Sequence, residues 1–308
     1  MKVYRSIENF PSEINTVITI GTFDGVHLGH QVILNRLNEI AKKIKGGSTL
    51  LTFSPHPRHV LHKDDQDMRL INTLDEKIVL LDKIGLDNLV VHEFTKKFSR
   101  IKPANFVRDI LVEKLKVHTL VIGHDHHFGR NREGSIEEIT TLAELYDFKI
   151  EKIDPQLFED VAISSTKIRQ LIEKGKMVKV KQYLGYSFLL NGKVINGNSV
   201  GKTIGFPTAN IEVENKWKIY PADGVYAVKV FTEGRWYKGM MNIGQKPTIG
   251  DNSKSLEVNI FNFSKDIYGH IIEIRFVKRI RNERKFENLA CLKEQLFIDR
   301  NRARKILG

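Results

Sequence analysis

Hydrophobic residues fall along this chain in two rhythms, and the change between them comes near residue 185. Before it, short apolar runs read as strands: Val17–Ile20, Thr49–Phe53, Leu89–His92, Thr119–Ile122 and, more weakly, Phe148–Ile153. Between them, Glu76–Ile84, Ala104–Leu115 and Ile136–Tyr146 place apolar residues three and four apart, as helices do. This β-α repetition predicts an α/β domain with a mostly parallel sheet and ligands at the carboxyl ends of its strands. After residue 185 the rhythm becomes strand and turn: Phe188–Ile195, Val225–Phe231, Tyr237–Ile243, Leu256–Phe263 and Ile271–Phe276. Asn191-Gly192, Asn196-Gly197, Asp223-Gly224, Glu233-Gly234 and Tyr268-Gly269 read as the turns between them, and the pattern predicts a small closed antiparallel β-barrel. A charged helical segment, Phe286–Leu307, closes the chain. The expected domains are 1–184 and 185–308.

Composition narrows the class. At 308 residues there is length for two substantial cores, and 41% hydrophobic with 28% charged residues reads as globular rather than disordered. No run approaches the roughly 18 apolar residues of a membrane helix, and Met1–Glu8 lacks a signal-peptide core, so a cytoplasmic, membrane-free protein is expected. Cys291 is the only cysteine, which leaves no intrachain disulfide; its apolar helical setting predicts a buried, inert thiol. The net charge of +12 fits nucleic acid or small anionic substrates. Because the charges are dispersed apart from Lys278–Arg281 and Arg300–Lys305, the second is expected and nucleic acid is not. Oligomeric state is not legible.

Candidate chemistry begins where the first strong strand ends. Gly21-Thr22-Phe23-Asp24-Gly25-Val26-His27-Leu28-Gly29-His30 turns sharply on three glycines into a helix with apolar positions Ile33, Leu37, Ile40 and Ile44. Unpaired N–H groups and partial positive charge at a helix N-terminus make a phosphate site, to which His27 and His30 can add donors. That combination suits electrostatic stabilisation of phosphoryl or nucleotidyl transfer, the alternative being histidines that merely cap or pack. Thr52-Phe53-Ser54-Pro55-His56-Pro57 follows the second strand as a stiff loop; His56, His59 and His62 could instead form a metal face. Gly123–Arg130, with His124, Asp125, His126, His127 and Phe128, ends the fourth strand as a glycine-bracketed ligand loop or, as its rival, a metal site. Ser164-Ser165-Thr166-Lys167-Ile168-Arg169 opens another helix, with a serine as N-cap and a guanidinium suited to bidentate phosphate binding.

In the second half, Gly201-Lys202-Thr203-Ile204-Gly205-Phe206-Pro207-Thr208-Ala209-Asn210 lacks Walker spacing, yet its glycines can wrap phosphates through backbone N–H groups. Thr208 and Asn210 add oxygens of the kind a hard cation takes. Leu256–Phe263 alternates, so Glu257, Asn259 and Phe261 share one face, and Glu257 is a candidate general base.

These residues carry a resemblance. Phe23-Asp24-Gly25 before His27-Leu28-Gly29-His30 looks like the flavin adenylyltransferase branch of the H-x-G-H nucleotidyltransferases, and Gly201–Asn210 is similar to the G-x-x-x-G-x-P-T-A-N loop of riboflavin kinases. Both in one chain, in this order, resemble the bacterial bifunctional riboflavin kinase/FAD synthetase family over nearly the full length. The resemblance implies a Rossmann-like nucleotidyltransferase domain followed by a kinase barrel. It further implies riboflavin, FMN and ATP as substrates, Mg²⁺ as cofactor, and successive formation of FMN and FAD. By it, Gly21, Phe23, Asp24, Gly25, Gly29, Ser164, Ser165, Thr166 and Arg169 would serve ATP in the first site. Gly201, Lys202, Gly205, Pro207, Thr208 and Asn210 would do so in the second, with Thr208 and Asn210 toward Mg²⁺ and Glu257 as the base. Asp125, Phe128, Asn242, Gly244, Thr248, Arg284 and Glu287 would contact flavin. Two positions depart from the family pattern: His126 stands where Phe is usual, and Asn259 where His is usual.

Overall fold

The computed structural model describes residues 1–11, 13–62, 68–123, 136–153, 163–197, 201, 204–245 and 254–308. They form two compact units: 1–68 with 74–164, and 69–73 with 165–308.

In the first unit the strands β1 (Lys2–Tyr4), β2 (Thr16–Ile20), β3 (Gly47–Phe53), β4 (Asn88–His92), β5 (Val117–Ile122) and β6 (Lys149–Lys152) form one parallel sheet in the order β1-β4-β3-β2-β5-β6. Period-two alternation sends Ile18 and Ile20 into one apolar layer and Val17 into the other. The helices α1 (Leu28–Ile44) and α3 (Leu74–Ile84) supply Leu34, Leu37, Ala41 and Leu81 to the Val17 layer. The Ile18 layer is filled from a π-helical stretch, Phe106–Lys114, and from α5 (Ile136–Leu145). Two short helices, α2 (Pro57–Leu61) and α4 (Pro103–Asn105), lie in the connections. Because β2 pairs with β3 on one side and β5 on the other, the chain switches direction at the carboxyl end of β2. That is where such sheets open a crevice for ligands.

The second unit opens with α6 (Ser165–Glu173) and α7 (Met177–Leu184), which stops at Gly185 in a left-handed conformation (φ 80°). Strands β7 (Leu189–Ile195), β8 (Ala209–Glu212), β9 (Gly224–Thr232), β10 (Arg235–Gln245), β11 (Lys254–Ile260) and β12 (Ile271–Asn282) then close a barrel in the order β10-β11-β8-β7-β12-β9, every pair antiparallel. The chain ends in α8 (Leu289–Leu307), capped by Asn288, whose side chain accepts from the Cys291 amide.

The structure corrects several local expectations. Asn191-Gly192 is not a turn but the interior of β7. A Cβ at Gly192 would collide with Ile211 and sit 2.8 Å from the Glu212 carbonyl, so the glycine marks a close approach of β8. Strand β12 runs to Asn282 instead of ending at Phe276, because two register shifts, at Phe276/Lys278 and Arg279/Arg281, throw its alternation out of phase. Strand β11 ends at Ile260 and not Phe263, since Asn262 turns the chain at φ 54°.

Residues 69–73 join the second unit as a strap. Leu70 bridges Lys218 in parallel fashion, donating to the Trp217 carbonyl at 2.6 Å and accepting from the Ile219 amide at 2.9 Å. Lys218 is fully buried, its ammonium donating to the carbonyls of Ile71 (2.7 Å) and Leu189 (2.8 Å). A buried ammonium without such acceptors costs several kcal/mol, so this clamp fixes the strap to β7.

The second unit therefore depends on residues ahead of its barrel. Ile168, Ile172, Met177, Val180 and Leu184 are all buried, and at ~1.5–3 kcal/mol per side chain their loss is on the order of a whole domain's stability. A fragment beginning at Gly185 is expected to melt far below one beginning at Ser164. Equal melting by circular dichroism would show that α6 and α7 contribute nothing to the barrel.

Candidate active sites

The turn from β2 into α1 is built under strain. Phe23 (φ 46°) and the β-branched Val26 (φ 35°) both hold left-handed backbone, which costs of order 1–3 kcal/mol each. Burial holds them there. Phe23 and Val26 lie in the same apolar layer as Leu34 and Leu37, the Val26 amide donates to the Phe23 carbonyl at 3.1 Å, and Gln31 Nε2 donates to the Val26 carbonyl at 2.9 Å. Gly21 belongs to the same device, since a Cβ there would press within 3.0 Å of the Phe23 ring.

His27 is the N-cap of α1, its Nδ1 accepting from the His30 amide at 3.2 Å. Nδ1 is thus the acceptor nitrogen, and the proton of the neutral ring resides on Nε2. The two imidazoles stack with centroids 3.5 Å apart and planes 15° apart, and Phe23 closes on His30 at 4.6 Å. His30 Nδ1 is buried without a hydrogen-bond partner. Burial, followed by the charges of His27 and Lys77, holds the His30 ring well below the ordinary histidine value. Gly29 is buried in the first turn of α1, and Asp24 is buried in the turn ahead of it.

Lys77 is the residue the sequence did not reveal. Its signal is one lysine in an ordinary amphipathic helix, yet its side chain is 7% exposed and its ammonium donates to the Thr22 carbonyl at 2.6 Å. Burial lowers its pKa and the Asp24 carboxylate opposes that shift.

Of the other expected residues, Ser164 ends the first unit, while Ser165, Thr166 and Arg169 lie on α6 in the second. Arg169 Nε donates to the Arg69 carbonyl of the strap at 2.7 Å. Asp125, Phe128 and His126 lie outside the described residues, as do Lys202 and Thr248. His56 caps α2 through Nδ1, and His59 Nε2 lies 2.9 Å from the Met68 carbonyl. Among the described residues no cluster of three His, Cys, Asp or Glu side chains could hold a metal ion.

In the barrel, the register sets Asn242, Glu257 and Asn210 side by side on three adjacent strands. Glu257 accepts from Ser255 Oγ at 3.0 Å and faces Thr208 Oγ1 at 3.4 Å. Asn259 donates from Nδ2 to the Pro207 carbonyl at 2.6 Å and so ties the glycine-rich loop to β11. Within that loop the Phe206 amide donates to the Gly201 carbonyl at 2.8 Å, and a Cβ at Gly201 would strike the Phe206 carbonyl oxygen. Gly205 is left-handed at φ 83°. Phe206 packs edge-on against Phe297 of α8 at 5.0 Å, so the closing helix backs the loop.

Gly244 has a different reason for being glycine: a Cβ there would collide with the Glu283 carboxylate. Burial and the nearby Asp223 carboxylate push the Glu283 carboxyl above the usual range. Arg284 and Glu287 are exposed ahead of α8. Arg284 lies over the Phe286 ring at 4.6 Å and donates to Gln295 Oε1. Gln295 in turn donates to Asp299 Oδ1 at 2.7 Å, and the fully buried Asp299 binds Arg281 Nε at 2.8 Å. The sequence did not mark this buried chain, because Gln295 and Asp299 sit one turn apart in a helix that reads as solvated.

A helix N-terminus under paired imidazoles at a sheet's switch point in one unit, and in the other a barrel whose glycine-rich loop faces a carboxylate, define the class: a transferase of phosphoryl and nucleotidyl groups with two sites. The FAD synthetase family model matches residues 10–167 and the riboflavin kinase family model residues 184–307. The bifunctional riboflavin kinase/FMN adenylyltransferase of Escherichia coli strain K12 is 36% identical over 312 residues, covering 100% of this chain and 98% of that protein. That of Listeria monocytogenes is 39% identical over 288 residues, covering 92% and 90%. A crystal structure of a macrolide-efflux protein from Streptococcus pneumoniae superposes with a TM-score of 0.87 at 29% identity over 98% of both chains. In the present chain, no helix of the described residues is long and apolar enough to cross a membrane. The chain belongs to the family of bifunctional riboflavin kinases/FMN adenylyltransferases, which use ATP to make FMN from riboflavin and FAD from FMN.

Cys291, expected to be buried, is exposed in the first turn of α8. Its apolar neighbours in sequence do not cover it, because this helix buries only Gln295, Asp299 and Ala303. The native protein is expected to react with one equivalent of a thiol reagent without denaturant; reaction only after unfolding would contradict this exposure.

Proposed function

We propose that the first unit carries out adenylyl transfer at the N-terminus of α1 and that the barrel phosphorylates riboflavin against Glu257. The observation that carries the first assignment is the His27 cap. It commits Nδ1 to the backbone and leaves the ring proton on Nε2, while the stacked His30 holds a buried, unpartnered nitrogen at the same helix end. In that step an FMN phosphate oxygen attacks the α-phosphorus of ATP, the new P–O bond forms as the bond to pyrophosphate breaks, and no covalent enzyme intermediate is needed. His27, His30 and Arg169 are assigned to neutralise the phosphate charge, with Gly21, Gly25 and Gly29 allowing the backbone to approach it. Phe23, Asp24, Ser164, Ser165 and Thr166 are assigned to nucleotide binding.

In the barrel, Glu257 is assigned to take the proton of the riboflavin 5′-hydroxyl as its oxygen attacks the γ-phosphorus of ATP and ADP departs. Support comes from the Asn242–Glu257–Asn210 row and from the loop that Asn259 ties beside it. Thr208 and Asn210 offer hydroxyl and amide oxygens, hard donors of the kind that fit Mg²⁺. Bound there, Mg²⁺ would neutralise charge on the ATP phosphates. Gly201, Gly205 and Pro207 are assigned to the phosphate loop, and Asn242, Gly244, Arg284 and Glu287 to the flavin side. We assign adenylylation to 1–184 and phosphorylation to 185–308, and attribute the basic net charge to these anionic substrates rather than to nucleic acid.

Two substitutions separate the reactions. His30→Ala is expected to abolish FAD formation while FMN formation continues. Glu257→Gln is expected to slow FMN formation by about 10²–10⁴-fold, with supplied FMN still converted to FAD. Chromatography of riboflavin, FMN and FAD after incubation with ATP and Mg²⁺ reads both. Equal loss of the two activities in either folded variant would defeat the assignment.

A further inference from the structure

We propose that Lys77 is a positioning residue of the adenylyl-transfer site, tying the strained turn ahead of α1 to α3 and setting a fixed positive charge within electrostatic reach of His30. The inference rests on the reading that adenylyl transfer takes place at this turn.

Three observations converge on it. The ammonium is buried and its hydrogen bond goes to the carbonyl of Thr22, which sits between the sheet end and the left-handed Phe23. An ammonium has three N–H bonds to place, and removing one partner of a buried charge pair leaves the other uncompensated. Asp24, 1% exposed in the same turn, is the carboxylate whose field reaches Lys77. A buried carboxylate inside the turn that presents the helix N-terminus and a buried ammonium from α3 thus lie within electrostatic reach of each other.

The charge has a second consequence. Among the described residues, the charged or titratable groups acting on His30 are His27 from the helix cap and Lys77 from α3, and both, after burial itself, oppose protonation of its ring. The free site thus keeps His30 neutral. Lys77 adds positive potential for a polyphosphate without relying on a protonated histidine, whose charge would vary across physiological pH. A nucleoside triphosphate arriving at the α1 N-terminus brings negative charge that relieves the opposition, and His30 then gains affinity for a proton. The direction is fixed by the sign of the charges: removing the ammonium raises the pKa of His30 in the free protein, and binding the polyphosphate raises it further.

The test uses the full-length protein with ¹³C-labelled histidine, the His30 signal being assigned with a His30→Gln variant. In wild type, His30 is expected to titrate well below the ordinary histidine value of about 6.5, and to move upward on addition of a non-hydrolysable ATP analogue with Mg²⁺. Lys77→Met should move the free value upward and lower kcat/KM for ATP in FAD formation at least tenfold, with FMN formation unchanged. Lys77→Arg, which keeps the charge, should leave the His30 titration in place and recover part of the activity. A wild-type His30 that titrates near 6.5 overturns the proposal, and this measurement decides the matter even if Lys77→Met does not fold. So does a folded Lys77→Met with wild-type kcat/KM and an unmoved His30. If Met and Arg are equally defective while His30 is unmoved, Lys77 serves only the fold and the proposal is likewise overturned. Were His30→Ala to retain FAD formation, the assignment of the site itself would fail, a result distinct from any of these.

Discussion

Everything in the first unit turns on one constraint: α1 must start within a few residues of the carboxyl end of β2. Seven residues separate Ile20 from Leu28. In that space the chain makes a left-handed bend at Phe23, Gly25 and Val26, and a helix starting there exposes its first N–H groups toward the sheet's crevice. One of them, on His30, is capped by His27. Capping by an imidazole rather than a serine couples two jobs, because the lone pair that satisfies the helix also dictates which nitrogen of the ring carries the proton. The apolar layer formed by Phe23, Val26, Leu34 and Leu37 offsets the strain of the bend, so the geometry of the anion site is set by core packing.

The barrel meets the same demand by other means. Its glycine-rich loop lies between β7 and β8, closes on itself through Phe206 and Gly201, and is held from both sides. Asn259 ties it to β11, and Phe297 of α8 packs against Phe206. The departure of Asn259 from the histidine usual in the family therefore leaves a donor where the loop needs one. A side-chain amide reaches the Pro207 carbonyl in any protonation state, which an imidazole tautomer does not.

How much of this was legible in the sequence follows from the length scale of each signal. The parallel sheet and the barrel are written in local periodicity and read correctly, whereas Gly placement alone misread Asn191-Gly192 as a turn. Elements too short to show a period were not legible: β1 is three residues, and β8 is four residues at the end of the glycine-rich loop. The segment Met177-Val178-Lys179-Val180-Lys181 alternates like a strand yet folds as α7, because tertiary burial of Met177, Val180 and Leu184 follows helical spacing. The motif-borne candidates came from sequence because glycines, histidines and hydroxyls cluster at fixed spacing there. Those recruited through space, namely Lys77, Glu283, Gln295 and Asp299, did not, because one residue in a helix or loop has no periodicity to betray it.

The strap at 69–73 belongs to the second unit although it lies inside the first in sequence, which a change of rhythm cannot reveal. The backbone passes from one compact unit to the other at 68/69, at 73/74 and again at 164/165, so the boundary is no single linker. Lys218 shows why the first passage matters. Its ammonium has no exposure and finds acceptors at Leu189 of the barrel and Ile71 of the strap. Were the strap to detach, a buried charge would lose one of these acceptors, and Arg169 would lose the Arg69 carbonyl that holds its Nε. The same five residues thus support a lysine at the centre of the kinase unit and an arginine assigned to the adenylyl-transfer reaction. Thr73 also leads directly into α3, the helix that carries Lys77 to the turn ahead of α1.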